Sequence, residues 1–267
     1  MTYTGNLQKM NTRVNSSGTV EYQLELGGTL INMNDILGRE VELIYKDVIN
    51  CVACGVVTRK SFAQGFCFSC MQTAPEASEC VLRPVLCKAH MGIARDMEWA
   101  RSHCLQPHYV YLANTGEVKV GVTRESQIPT RWIDQGASQA IKVCKTPNRH
   151  IAGLIEVLLS KTFPDKTLWK KMVSGDINPD VDLMALREEA WKLLPLELDQ
   201  YRSPEEEVFH FRYPVKQYPI HPKTVNLEEN KRIKGILTGI KGQYLLFEND
   251  QIINIRKYTG YLVDFIL

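Results

Sequence analysis

Seven of the eight cysteines fall between residues 51 and 104, a density that asks for a metal. Cys51-Val-Ala-Cys54 and Cys67-Phe-Ser-Cys70 are two C-x2-C knuckles separated by twelve residues. Each knuckle lets two thiolates meet on one ion, and Zn²⁺ takes four such ligands in a tetrahedron. Gly55 follows the first knuckle, where the backbone must turn tightly. A redox dithiol would be a single C-x-x-C beside a βαβ unit, and the paired spacing does not fit it. Cys80, Cys87, His90 and Cys104 form a second set, in which Cys87 and His90 again stand two residues apart. Together they would make a Cys₃His zinc site, with His103 competing for the fourth place; the same residues also read as buried cysteines beside a surface histidine. Four protein ligands leave no open position, so both sites are expected to be structural. Cys144 has no neighbouring partner and reads as a small core residue.

The elements that would carry these residues follow from periodicity. Tyr22–Leu26, Thr29–Met33 and Val41–Tyr45 alternate apolar with polar residues and predict short strands within 1–49. His108–Leu112 and Lys119–Val122 predict a pair of strands turning at Thr115-Gly116. A helix is expected from Pro129 to Val143, and a second from Arg149 to Lys161 on the stripe Ile151, Leu154, Ile155, Leu158 and Leu159. Residues 182–194 predict a third helix with Asp182 as its N-cap. The stretch 195–222 reads as a linker holding one strand, Val208–Tyr213. The tail returns to strands at Ile233–Thr238, Gln243–Phe247, Ile252–Arg256 and Tyr261–Ile266.

The formal net charge of +2 hides a strong segregation. Residues 107–172 carry ten basic and five acidic side chains, whereas 173–207 carry three and ten. A basic segment suits a phosphate-rich partner, and it equally suits neutralisation by the acidic stretch. Apolar residues at 44% and charged residues at 23% exclude wholesale disorder. No run of eighteen apolar residues exists, which excludes a spanning helix. The start, Met1-Thr-Tyr-Thr-Gly-Asn6, lacks the layout of a secretory signal, so a cytoplasmic protein without membrane contact is expected.

Tyr109-Val-Tyr-Leu112, Lys119-Val-Gly-Val-Thr-Arg124, Arg131 and Glu156 occur in an order that resembles the GIY-YIG nuclease domain. Val110-Tyr-Leu112 stands for the first motif, and Lys119-Val-Gly121 with Thr123 for the second. The resemblance implies an arginine on the first helix (Arg131), a glutamate holding Mg²⁺ or Mn²⁺ on the second (Glu156), and Tyr111 as base. Such a set would hydrolyse a phosphodiester by activating water and neutralising charge. Read alone, Tyr111 is strand packing, Arg131 pairs with Asp134, and Glu156 is a solvated helix residue. Lys119 replaces the second tyrosine and would bind phosphate as a point charge. Gln135 replaces the histidine that follows the arginine. Over nearly its full length the chain is similar to an uncharacterised bacterial family, DUF2797. The resemblance rests on the double cysteine segment, Val118–Arg124, Arg131-Trp-Ile-Asp-Gln-Gly136 and Gly239-Ile-Lys-Gly-Gln-Tyr-Leu245.

The expectation is therefore an α+β protein: an N-terminal β segment (1–49), a double zinc-binding module (50–106), a GIY-YIG-like α/β domain (107–200) and a C-terminal β-barrel-like domain (207–267). Its expected role is nucleic-acid association through Arg124, Lys142, Lys145 and Arg149, with Mg²⁺-dependent phosphodiester hydrolysis. An inactive zinc-ribbon adaptor for DNA or RNA and a protein-interaction scaffold are the competing classes. In the tail, Lys241, Arg256 and Lys257 with Tyr244, Tyr258 and Tyr261 would offer a face for stacking bases.

Overall fold

A computed structural model describes residues 1–267. The fold is mixed α+β, and the chain divides into two compact units. The first comprises Met1–Gln72, Val173–Gly175 and Phe211–Leu267; the second comprises Thr73–Met172 and Asp176–His210. The cut at residue 72 falls between the two cysteine groups, so segment 50–106 is shared between the units.

In the first unit the terminal strands pair: Thr2–Asn6 lies antiparallel to Tyr261–Ile266, which pairs in turn with Glu40–Asn50. The other edge of Glu40–Asn50 takes Arg232–Lys241, and the sheet continues through Tyr244–Phe247, Gln251–Asn254 and Lys223–Thr224. A three-stranded sheet of Asn11–Val14, Val20–Leu26 and Thr29–Asn32 completes it. The expected alternation holds in Val20–Leu26, where Val20, Tyr22, Leu24 and Leu26 are buried and Glu25 is exposed. The tail strands lie close to their predicted places. The proposed stacking face does not form: Lys241, Tyr258 and Tyr261 are buried, and the Lys241 ammonium lies over the rings of Tyr213 and Tyr218 at 5.3 and 5.4 Å.

The second unit is built on a four-stranded antiparallel sheet in the order Val208–His210, Gln139–Thr146, His108–Asn114, Val118–Arg124. Every residue of His108–Asn114 is buried. The helix expected over Pro129–Val143 is a single turn, Thr130–Asp134, followed by the strand Gln139–Thr146. That strand is held by neighbours on both edges, His108–Asn114 and Val208–His210, and the long-range pairing overrides the local helical pattern. Helix Arg149–Leu159 starts on Asn148, whose side chain accepts from the Ile151 N–H at 3.0 Å, and turns Ala152, Ile155 and Leu159 into the core. A Cβ at Gly153 would lie 2.1 Å from the backbone nitrogen of Val85, so the helix rides against the turn Pro84–Leu86 at a distance only glycine permits. Helix Leu183–Lys192 starts on Asp182 as expected.

Candidate functional site

Three groups of chemistry-bearing side chains emerge. The first lies in the first unit, where the strand Glu40–Asn50 delivers Cys51 and the short helix Phe68–Thr73 carries Cys70. The sulfurs of Cys51, Cys54, Cys67 and Cys70 lie within 4.8 Å of one another. Cys54 and Cys67 Sγ are 3.9 Å apart, far longer than a disulfide and close to the edge of about 3.8 Å that metal–sulfur bonds of about 2.3 Å give a tetrahedron. The Cys67 N–H donates to Cys51 Sγ at 3.2 Å and the Cys70 N–H to Cys67 Sγ at 3.5 Å. Against burial, which raises it, backbone N–H groups of Cys67, Cys54 and Ala53 bring the Cys51 thiol down to about 6. Four converging thiols with backbone donors aimed at them fit a metal such as zinc.

The second group lies in the second unit and unites three of the four predicted ligands, Cys80, Cys87 and Cys104, again within 4.8 Å. Cys87 and Cys104 are buried. The thiol of Cys80 falls far below its ordinary value, through hydrogen bonds from Cys104 and Cys87 and the charge of Arg149, while that of Cys104 rises. Three converging thiols are a donor set that fits a thiophilic cation such as zinc. The Arg149 guanidinium donates to Cys80 Sγ at 3.7 Å and to the His103 carbonyl at 3.1 Å, and is buried. His90 is corrected: the turn Ala89–Met91 buries Ala89 and sends His90 outward, where it stacks on His150 with ring centroids 4.4 Å apart. His103 instead stacks on Trp99 at 4.1 Å, its Nδ1 near the Trp99 carbonyl. Cys144 is buried in the sheet core, as expected.

The third group is a cavity of about 470 Å³ in the second unit, lined by Tyr111, Lys119, Arg131 and Glu156, and also by Gln135 and Asp165. Tyr111 and Gly121 are cross-strand partners, and a Cβ at Gly121 would lie 2.6 Å from the Tyr111 hydroxyl oxygen. Glycine at that position is thus what gives the phenol room. The Tyr111 hydroxyl donates to Gln135 Oε1 at 2.7 Å, so the residue that replaces the expected histidine orients the phenol. Burial pushes the Tyr111 phenol up, opposed by Arg131. Lys119 is 4% exposed and donates to the Asp165 carbonyl at 2.9 Å. Burial, then the Arg131 charge, lowers its ammonium to about 8. Burial raises the Glu156 carboxyl to about 7, against the pull of Lys119. Asp165, on the segment after the helix, is a second carboxylate that the spacing did not single out. Its exposure and its lack of a motif left no signal except the charge itself. Trp132 is buried.

The expected basic tract is largely engaged elsewhere. Lys142 pairs with Glu205, Lys145 with Glu125 at 2.7 Å, and Arg149 with the sulfur cluster. No helix is long and apolar enough to cross a membrane. No curated protein and no solved structure matches the chain. A family model described as a protein of unknown function, DUF2797, matches residues 38–263. That span includes both cysteine clusters and every residue that lines the polar cavity, and the chain belongs to the DUF2797 family.

Proposed function

We propose that the second unit binds a nucleic acid phosphate in the 470 Å³ cavity and hydrolyses the phosphodiester with the help of a divalent cation. The observation that carries the reading is the convergence of Tyr111, Lys119, Arg131 and Glu156 on one cavity from two strands and two helices. The order of the same residues, which resembles that of GIY-YIG nucleases, supports it. Glu156 and Asp165 would hold the cation, an Mg²⁺ or Mn²⁺ bound by one or two carboxylates. When bound, it neutralises phosphate charge.

The chain's own groups do the rest. Arg131 clamps the non-bridging oxygens as charge grows on them. The Lys119 ammonium, held by the Asp165 carbonyl, adds a point charge beside the phosphate. The Tyr111 phenol, fixed by Gln135, hydrogen-bonds the attacking water and aligns it. Leu82–Leu86 wall one side of the cavity.

The test is cleavage of labelled DNA and RNA with Mg²⁺ or Mn²⁺. Glu156→Gln and Arg131→Ala are each expected to slow it by about 100-fold or more. Cleavage equal in wild type and Glu156→Gln overturns the catalytic claim. Salt-sensitive binding without turnover in all three leaves the adaptor as the function.

A further inference from the structure

Cys80, Cys87 and Cys104, whose sulfurs converge, all line a second cavity, of about 320 Å³. No histidine, cysteine or acidic side chain joins them within 4.8 Å. The same cavity is walled by Leu86, Ile93, Ala94 and Trp99 and carries charges of both signs, Lys88 and Arg95 against Glu79 and Asp96. A tetrahedral ion held by three thiolates has one position left, and that position belongs to whatever enters from the cavity. This site is therefore built differently from the four-cysteine cluster, which supplies its own complete set.

We infer that the three-cysteine site is an open metal centre whose fourth ligand is a small exogenous thiol. Three thiolates on a divalent ion leave one negative charge, which Arg149, 3.7 Å from Cys80 Sγ, balances. A near-neutral, sulfur-rich centre favours a soft donor over a hard oxygen. The apolar walls suit the short aliphatic stem of such a thiol, and the rim of mixed charge suits a polar group at its far end. On binding, the thiol sulfur forms a bond to the ion as a solvent water leaves. The thiol proton passes to bulk solvent, and no oxidation state changes. The inference is independent of the phosphate cavity.

The experiment uses the full chain loaded with Co²⁺ and titrated with 3-mercaptopropionate at concentrations that leave its metal content unchanged. Two cobalt ions per chain are expected. Sulfur-to-cobalt charge-transfer absorption should rise by roughly one seventh, as seven cobalt–thiolate bonds become eight. His90→Ala should respond as wild type does. Ala94→Trp, an exposed substitution that fills the cavity wall, should abolish the response while retaining both ions. Three results overturn the inference: one cobalt per chain, a wild-type spectrum unmoved by the thiol, or an Ala94→Trp response equal to wild type. An unmoved wild-type spectrum together with a His90→Ala spectrum altered from the start would make the site a closed Cys₃His centre.

Discussion

Glu156 sits on a helix that turns Ile155 and Leu159 inward, and burial holds its carboxyl at about 7 against about 4.3 for an exposed glutamate. Between those values the unfolded chain has released the proton and the folded chain keeps it. The group's contribution to stability therefore declines as pH rises through that window and levels off above about 7. Glu156→Gln removes the slope: metal-free protein should melt at a higher temperature than wild type at pH 8, and at the same temperature near pH 4. Thermal scans at the two pH values check this. Lys119 runs the opposite way, since its ammonium is lowered to about 8, so its contribution recovers as pH climbs towards 10. Gly121 carries a steric prediction. Gly121→Ala puts a methyl 2.6 Å from the Tyr111 oxygen and should cost about 1–3 kcal/mol in denaturant unfolding. Of the cavity residues, the sequence exposed Tyr111, Lys119, Arg131 and Glu156 through their order, whereas Gln135 was legible only as a departure. Its hydrogen bond to the phenol depends on a register between strand and helix that spacing does not encode.

Helix Arg149–Leu159 was legible nearly to the residue because its apolar stripe is a local signal, although Leu154 of that stripe is exposed. The strand Gln139–Thr146 was not, because its partners include Val208–His210, more than sixty positions away. The same limit hid the fate of the basic tract: Lys142 and Lys145 look free in sequence and meet Glu205 and Glu125 in the fold. Lys145→Gln should accordingly leave the salt dependence of nucleic-acid binding almost unchanged, while Arg131→Gln reduces the slope by about one phosphate contact. Fluorescence titrations at several salt concentrations separate the two. The close seat of the helix on Pro84–Leu86 gives a prediction with an unusual sign. Glycine to alanine inside an ordinary helix gains up to about 1 kcal/mol. At Gly153 the new methyl meets the Val85 nitrogen at 2.1 Å, so Gly153→Ala should destabilise by about 1–3 kcal/mol or more and disturb the cavity wall.

The two cysteine clusters belong to different units, so their metal contents should be separable. Cys54→Ser should lose the ion of the first cluster and Cys87→Ser that of the second, each retaining the other, as elemental analysis of purified protein would record. The pairing of the chain's ends has a consequence for synthesis. Glu40–Asn50 lies between Tyr261–Ile266 and Arg232–Lys241, and both are made long after it. At about 5–20 residues per second, the strand waits on the order of ten seconds or more for its first long-range neighbour. During that interval the second unit leaves the ribosome nearly whole, while the earlier strand has only Val57–Thr58 beside it. Its bare edges are the place where a chaperone, or another nascent chain, would find this protein most open to capture.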